Sequence, residues 1–224
     1  MRIAHLHDWN LSPSAAVALQ RELAPQLISD LTLDFDRLNT IAGIDVSVRG
    51  KASRAAVVVM SYPQLEVIET ARAIGETAFP YIPGLLAFRE GPVILEALRN
   101  LGCEPDAFLF DGMGQIHPRK MGIAAHLGLW LGRPTIGCGK TRYIGDYAEP
   151  GKAKGSRSLL THRGAQLGVV LRTRSNVKPV FVSVGHLADN DSAVRLTLDA
   201  TTRYRLPEPI RAAHNLARLS PGND

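Results

Sequence analysis

Apolar positions along the first third of the chain follow two spacings, and each spacing predicts a type of element. Residues 12–29 place apolar side chains at the helical period, and Pro25 is expected to kink or split that helix. Three apolar, β-branched runs follow at 40–48, 54–63 and 65–75, with short polar or proline-containing connections. Successive strands joined by such short connections predict an antiparallel meander.

The pattern then changes to an alternation of helices and short buried strands. Helical spacing covers 85–102, with a break expected near Gly91-Pro92, and it also covers 123–132. A buried strand that runs into a loop is predicted within 106–122 and again within 134–141. This order implies right-handed crossovers between parallel strands.

The last third of the chain predicts a basic loop, a strand hairpin and two helices. Residues 149–164 are basic and are expected to form a flexible loop, whereas 166–173 and 179–185 have the composition of paired strands. A helix with an acidic cap is predicted within 189–202, and a C-terminal helix at 207–219. With an N-terminal helical segment at 1–30, we interpret the whole chain, 1–224, as one domain.

Composition restricts the class of protein. The 224 residues are 45% hydrophobic and 21% charged, which is typical of a globular protein and excludes a disordered or fibrous chain. No apolar run reaches the roughly 20 residues that span a bilayer, and the N-terminus lacks an apolar leader. The two cysteines, Cys103 and Cys138, make neither a disulfide framework nor a zinc motif, so we predict a reduced, cytoplasmic protein. A net charge of +5 permits an anionic partner.

Three carboxylates stand in patterns that suggest chemistry. Asp45 interrupts the apolar run "GIDVSV", and Asp111 ends the run "AFLFDG", where open α/β sheets bind ligands. A buried carboxylate is unfavourable unless it is paired or holds a cation, and Mg²⁺ prefers oxygen ligands. Glu90, beside Gly91-Pro92, is the third candidate. Structural alternatives stay open: strand-end aspartates that bond to backbone amides or cap a turn, and a solvated helix glutamate beside Arg89.

Glycine-rich loops follow both predicted crossover strands and carry cations. In "DGMGQIHPRKMG", glycines allow close backbone approach, and Arg119 and Lys120 bring positive charge to a helix start, which suits a phosphate. His117 in the same loop is as compatible with an ordinary loop histidine as with a functional one. In "GCGKT", Lys140 lacks the spacing of a phosphate-binding P-loop, which excludes a P-loop NTPase but leaves a role in neutralising phosphate charge.

Two further features are suited to contact with nucleic acid. Prolines bracket Tyr81 and Ile82 in "PYIPG", which makes this loop either a hydrophobic anchor or a wedge that unstacks a duplex. Cations in the basic segment either form an ordinary solvated surface or follow a nucleic-acid backbone without reading sequence. These cations are Lys152, Lys154, Arg157 and Arg163.

Four blocks in order along the chain, "GIDVSV", "PYIPGLLAFREGP", "FDGMGQIHPRKMGIAAHLG" and "GCGKT", resemble the endonuclease V family. That family contains the deoxyinosine-specific endodeoxyribonucleases of DNA repair. The resemblance extends from about Thr40 to the C-terminal helix. It implies a ribonuclease H-like α/β fold in one domain, with a mixed sheet flanked by helices. The first three strands are expected to be antiparallel and to be followed by parallel crossovers.

The resemblance also implies roles for the candidate residues. It implies Mg²⁺, with Mn²⁺ also supporting activity, bound by Asp45 and Asp111, and it makes Glu90 a nearby acidic participant. Lys140 becomes an electrostatic or water-orienting group. His214, in "RAAHNLAR", aligns with an active-site histidine of the family.

On the nucleic-acid side, the resemblance implies a strand-separating wedge, a pocket for an extruded hypoxanthine and contacts to the DNA backbone. The wedge comprises Pro80, Tyr81, Ile82 and Pro83. The pocket comprises Gly84, Leu86, Gly112, His117, Gly122, Ile123 and Gly137. The backbone contacts are Arg119, Lys120, Lys152, Lys154 and Arg157.

The implied reaction is hydrolysis of the second phosphodiester bond 3′ to the lesion, which leaves 3′-hydroxyl and 5′-phosphate ends. The implied partner is DNA that contains deoxyinosine or another deaminated or distorted base. We expect a monomer with no protein partner and no membrane association. Two alternatives stay open: an endoribonuclease for inosine-containing RNA, since one 2′-hydroxyl contact decides between the substrates, and a non-catalytic binder of inosine or branched nucleic acid.

Overall fold

The predicted meander forms three strands of an eight-stranded sheet in the computed structural model, which describes residues 1–219. Strands β1 (Thr40–Arg49), β2 (Ala52–Ser61) and β3 (Val67–Glu76) pair antiparallel in sequence order. Their β-branched residues and short connections favour this arrangement. The predicted antiparallel start of the sheet is confirmed.

The other five strands of the sheet lie on the opposite side of β1. Strands β4 (Ala107–Phe110) and β5 (Thr135–Gly139) run parallel to β1. Antiparallel strands complete the sheet in the spatial order β3-β2-β1-β4-β5-β8-β7-β6. They are β6 (Arg157–His162), β7 (Ala165–Leu171) and β8 (Val180–His186). The predicted parallel crossovers and the late strand pair are therefore confirmed.

Helices cover both faces of the sheet, as the fold prediction requires. Helices α2 (Leu86–Arg99) and α3 (Ile123–Leu131) pack on one face. Helices α4 (Asn190–Asp199) and α5 (Glu208–Arg218) pack on the other. None of the helices within residues 1–219 is long and apolar enough to cross a lipid bilayer.

The N-terminal segment is helical over only part of its predicted length. Helix α1 spans Pro13–Leu23, and a 3-10 turn, Ala24–Gln26, follows it. Pro25 therefore splits the helix as expected. Residues 1–12 are not helical: Ala4 donates to the carbonyl of Trp130, and the ring of His7 lies against that of His126. Contacts with α3 thus replace a local helix.

The expected break near Gly91-Pro92 is wrong, because α2 continues through both residues. Pro92 is exposed, while Val93, Ile94 and Leu95 are buried against the sheet. Burial of such side chains contributes on the order of 1.5–3 kcal/mol each, and together they outweigh the roughly 3 kcal/mol that an internal proline costs a helix.

The prediction of a flexible loop at 149–164 is also wrong, because β6 occupies 157–162. Buried Arg172 fixes the remainder by donating to the carbonyls of Pro150 and Gly151 at 2.9 and 3.0 Å and to the Glu149 carboxylate at 2.8 Å. Residues 149–151 are ordered because the guanidinium of Arg172, about 20 residues further along the chain, binds them, and local composition does not reveal such a contact.

The predicted C-terminal helix is present as α5, with Pro207 at its N-cap. The domain prediction, 1–224, includes five residues, 220–224, that lie outside the described residues. Both cysteines are free thiols; Cys138 is buried and Cys103 is partly buried.

Helix α5 approaches the sheet closely at Gly43 in the middle of β1. A Cβ at this position would lie 2.0 Å from the carbonyl carbon of Pro209 and 2.5 Å from the amide of Ile210. The absence of a side chain at Gly43 therefore sets the distance between α5 and the sheet.

We expect Gly43→Ala to lower the free energy of unfolding by about 1–3 kcal/mol, because the added methyl group overpacks the contact with α5. Gly75→Ala is the matched control, since its Cβ would meet Val93 at an ordinary 3.6 Å. Urea denaturation measures both. Equal unfolding free energies for the two variants would contradict this account of α5.

Candidate active site

Asp45 and Asp111 lie side by side because of the register of two parallel strands. Ile44 of β1 pairs with Phe110 of β4, and the amide of Asp111 donates to the carbonyl of Ile44 at 3.0 Å. The next residue on each strand is an aspartate. Both side chains are only 11% exposed. The structure therefore brings the two predicted carboxylates together.

Lys140 follows β5 and forms an ion pair with Asp111. Ile136 and Cys138 of β5 belong to the core on the α5 face, so the alternation of side chains along the strand directs Lys140 to that face as well. The predicted lysine thus lies beside the carboxylates and balances part of their charge.

His214 reaches the same place from α5. Its Nδ1 lies 2.7 Å from Oδ2 of Asp45, and its Nε2 lies 3.3 Å from Nη1 of Arg218. A guanidinium can only donate, so Nε2 of His214 accepts, and the proton on Nδ1 is donated to Asp45. The close approach of α5 at Gly43 makes this contact possible.

Glu90 approaches the centre from α2, on the other face of the sheet from α5. Burial, followed by the charge of Asp45, raises the pKa of Glu90 to about 8. Burial and the charge of Asp111 also raise the pKa of Asp45, although the hydrogen bond from His214 opposes them. The three carboxyl groups therefore form a repulsive cluster that favours the arrival of a cation or a proton.

The donor set fits a hard divalent cation. One ligand atom each from Asp45, Asp111 and His214 lie within 4.8 Å of one another. Carboxylate oxygens suit Mg²⁺ and Mn²⁺, which need only one or two protein carboxylates besides substrate phosphate. Glu90 lies outside this group of three.

A cavity of about 230 Å³ opens next to the carboxylates. Its lining is mostly apolar. Six of the seven residues predicted for a pocket line it: Gly84, Leu86, Gly112, His117, Gly122 and Ile123. Gly137 is the exception, because the position of its missing Cβ lies 2.3–2.7 Å from backbone atoms of residues 112–114. It supports the loop from beneath and does not face the cavity.

The carbonyl of Gly84 is the acceptor on which the hydrogen bonds of the cavity wall converge. It accepts hydrogen bonds from Gln20 at 3.0 Å, from Nε2 of His117 at 3.0 Å and from Arg119 at 2.9 Å. Arg119 also donates to the side-chain oxygen of Gln20 at 2.6 Å. In this structure the guanidinium of Arg119 therefore holds the cavity wall together, and its predicted contact with the DNA backbone stays a prediction.

Both ring nitrogens of His117 are engaged. Nε2 donates to Gly84, and Nδ1 accepts from the backbone amides of Arg119 and Met121 at 3.2 and 3.3 Å. Burial, and secondarily the charge of Arg119, lowers the pKa of His117 to about 4. The ring is neutral and offers the cavity only its carbon surface.

The proline-stiffened loop at 80–83 borders the cavity. Tyr81 is 72% exposed, and Pro80 and Pro83 are exposed beside it. Ile82 packs against Phe79 and the rest of the apolar cluster below. The loop therefore combines the two alternatives left open by the sequence, an apolar anchor at Ile82 and a projecting aromatic ring.

The remaining predicted cations differ in their surroundings. Lys120 is exposed, with a left-handed φ of 55°. Lys152 and Lys154 precede β6, and Nζ of Lys154 lies 3.4 Å from the carbonyl of Thr201. Arg157 opens β6 and pairs with Asp191 at 2.8 Å. Arg157 is therefore partly neutralised, which weakens its assignment as a backbone contact.

Sequence reasoning missed several residues of the cavity region, and Gln20 and Tyr143 are two of them. Gln20 occupies a fully buried position on α1, where its helical spacing gives no functional signal. Tyr143 lines the cavity three residues after Lys140, in a loop whose path the sequence does not predict.

Comparison with known proteins agrees with this geometry. A family model described as Endonuclease V matches residues 21–215. The chain belongs to the endonuclease V family. Endonuclease V from Methanothrix thermoacetophila is 48% identical over 217 residues, which cover 97% of this chain and 96% of that protein. Family membership makes the protein a nuclease, and thus a hydrolase.

Solved structures of the family share the fold. The crystal structure of endonuclease V from Streptomyces avermitilis matches with a TM-score of 0.90 at 43% identity and covers 94% of this chain and 93% of that chain. Endonuclease V from Ciona intestinalis matches with a TM-score of 0.78 at 26% identity, covering 92% and 95% of the respective chains. The Ciona protein was crystallised with a 24-mer DNA containing an inosine followed by a ribo-adenosine.

We expect stability without divalent ions to report the raised pKa of Glu90. Between about pH 4.5, the ordinary value, and about pH 8, the folded protein holds a proton that the unfolded chain releases. The free energy of unfolding therefore falls as pH rises through this window. Glu90→Gln removes that loss, so the variant gains roughly 3–4 kcal/mol over the parent from pH 5 to pH 8.

Urea denaturation in EDTA across this pH range measures the difference. Glu96→Gln, at an exposed position of the same helix, is the matched control and should parallel the parent at every pH. A Glu90→Gln curve that also parallels the parent would show that the Glu90 carboxyl is not protonated at neutral pH.

Proposed function

We propose that this endonuclease V recognises deoxyinosine in DNA and hydrolyses the second phosphodiester bond 3′ to it, leaving 3′-hydroxyl and 5′-phosphate ends. The observation that carries the proposal is the juxtaposition of two features. A largely buried carboxylate pair, Asp45 and Asp111, adjoins an apolar cavity bordered by an exposed aromatic loop. The inosine-containing DNA bound by the Ciona relative supports the choice of lesion.

A divalent ion at Asp45 and Asp111 is part of the proposal. Mg²⁺, or Mn²⁺ in its place, supplies neutralisation of phosphate charge and acidification of water when bound. The carboxylate oxygens provide the ligands that such ions prefer, and their mutual repulsion favours binding.

Three side chains assist around the scissile phosphate. Nζ of Lys140, paired with Asp111, adds positive charge beside the phosphate oxygens, on which negative charge accumulates in the transition state. Nδ1 of His214 donates to Asp45 and fixes the orientation of that carboxylate. The carboxyl group of Glu90, with its pKa of about 8, holds a proton at neutral pH and releases it when positive charge approaches.

Base recognition uses the other end of the same cleft. The prolines stiffen the 80–83 loop, so Tyr81 is suited to enter the stack without a large loss of conformational entropy. An extruded base then enters the cavity beside Gly84 and His117. Because the cavity and the carboxylates occupy different positions along the cleft, the damaged base and the bond that is cut belong to different nucleotides.

We expect Asp45→Asn and Asp111→Asn each to reduce cleavage of a deoxyinosine duplex by at least about 10³-fold, because each removes an anionic ligand from the proposed ion site. Binding should largely persist. Exposed Asp36, in the loop before β1, provides the matched Asp36→Asn control. End-labelled duplex, incubated with and without Mg²⁺ and sized to the nucleotide, measures both the rate and the bond cut.

Three results of this assay would contradict the proposal. Full cleavage by Asp45→Asn with Mg²⁺ would remove the ion assignment. A shifted band without cutting by the parent protein would indicate a non-catalytic binder. Turnover of a matched inosine ribo-oligonucleotide equal to that of the deoxyribo-oligonucleotide would replace the DNA assignment with the endoribonuclease alternative.

We expect Tyr81→Ala to reduce the preference for deoxyinosine over unmodified duplex by about 10-fold, since an inserted aromatic ring contributes roughly 1–3 kcal/mol of stacking. Turnover on a single-stranded inosine substrate, which needs no unstacking from a partner strand, should change far less. The preference is measured as the ratio of kcat/KM on the deoxyinosine duplex to kcat/KM on the unmodified duplex. An unaltered preference in duplex DNA would exclude the wedge.

A further inference from the structure

Tyr143 is the aromatic side chain of the cavity that the reaction proposed above does not use. It lies in the loop after β5, three residues beyond Lys140, and it lines the cavity together with Thr141 and Arg142. Its exposure is 39%, about half that of Tyr81. Tyr143 thus lies at the wall of the cavity, while Tyr81 projects from the rim.

The position of the Tyr143 ring is well defined. The hydroxyl oxygen lies 3.2 Å from the place that a Cβ on Gly84 would occupy. The ring centroid lies 5.9 Å from that of His117, at an interplanar angle of 34°. The two rings are therefore tilted relative to each other and are not stacked face to face. Gly84 and His117, which both lie close to the Tyr143 ring, are held in place by the hydrogen bonds to the Gly84 carbonyl described above.

The other lining groups leave Tyr143 as the side chain suited to hold a planar base. Ile82, Leu86 and Met121 provide flexible aliphatic surface. His117 has both ring nitrogens engaged and borders the cavity by its carbon surface. An aromatic face offers a heterocycle a large, rigid contact of low conformational entropy, and purines overlap such a face more fully than pyrimidines.

We infer that Tyr143 is a specificity-determining residue whose ring stacks on the extruded base and favours a purine. This inference rests on the proposed function, because it assigns a contact within the same pocket. Since Tyr143 and Lys140 belong to one short loop, a base seated on the ring also fixes the position of the loop that carries the lysine.

Equilibrium binding tests the inference. Fluorescence anisotropy is measured in an Asp45→Asn background, which prevents cutting, with three duplexes that carry deoxyinosine, an abasic site or no lesion at one position. Tyr143→Leu should weaken binding to the deoxyinosine duplex by about 10-fold, as expected for the loss of one base–aromatic stack. Binding to the abasic duplex should change by less than about 2-fold, because no base is present to stack.

Two further variants make the result specific. Tyr143→Phe keeps the ring and should retain deoxyinosine binding within about 2-fold of the parent. Tyr204→Leu, at a tyrosine of similar exposure, 42%, should leave all three affinities unchanged. Steady-state kinetics with Asp45 intact should show that Tyr143→Leu raises KM for deoxyinosine more than for deoxyuridine duplexes, whereas a general loss of structure would raise both equally.

The outcomes separate this inference from the function on which it rests. If the parent does not distinguish deoxyinosine from unmodified duplex, the proposed function fails, and the inference fails with it. If the parent distinguishes them and Tyr143→Leu does so equally well, only the role of Tyr143 is overturned. Equal losses on the deoxyinosine and abasic duplexes, or a Phe variant as weak as the Leu variant, would also overturn it.

Discussion

The pairing of β1 with β4 is the constraint on which the site depends. It places two aspartates next to each other at a largely buried edge, where burial and, after it, the charge of Asp111 raise the pKa of Asp45. Such an arrangement is stable only if positive or hydrogen-bonding groups surround it. Lys140 and His214 supply these groups from β5 and α5, so the elements around β1 serve to hold one cluster of charge.

A second constraint links the carboxylates to the cavity. The loop after β4 carries Asp111 and then Gly112, which lines the cavity, and the loop after β5 carries Lys140 and then Tyr143. Gly84 joins the proline-stiffened loop at 80–83 to the same wall through its carbonyl. The loops after β4 and β5 therefore each contribute one residue to the charged cluster and another to the cavity, which keeps the two close together.

Local patterns predicted most of the fold and the charged centre. The β-branched runs predicted the meander. Asp45, which interrupts one apolar run, and Asp111, which ends another, predicted two carboxylates at the edge of the sheet. The same local reasoning failed where distant contacts decided the outcome. The apolar face of α2 overrides Pro92, and the guanidinium of Arg172 organises residues that composition assigned to a flexible loop.

The sequence by itself determined the family, the strand order of the meander and the identity of the acidic and basic groups at the centre, because these follow from short motifs and local periodicity. Only the tertiary structure decided that Arg119 supports the wall, that Gly137 lies beneath the loop, that Gln20 anchors Gly84 and that Tyr143 faces the cavity. The raised pKa of Glu90 is likewise a property that only the tertiary structure decided. Each of these depends on burial and on neighbours far apart in the chain, and a one-dimensional pattern contains no record of such neighbours.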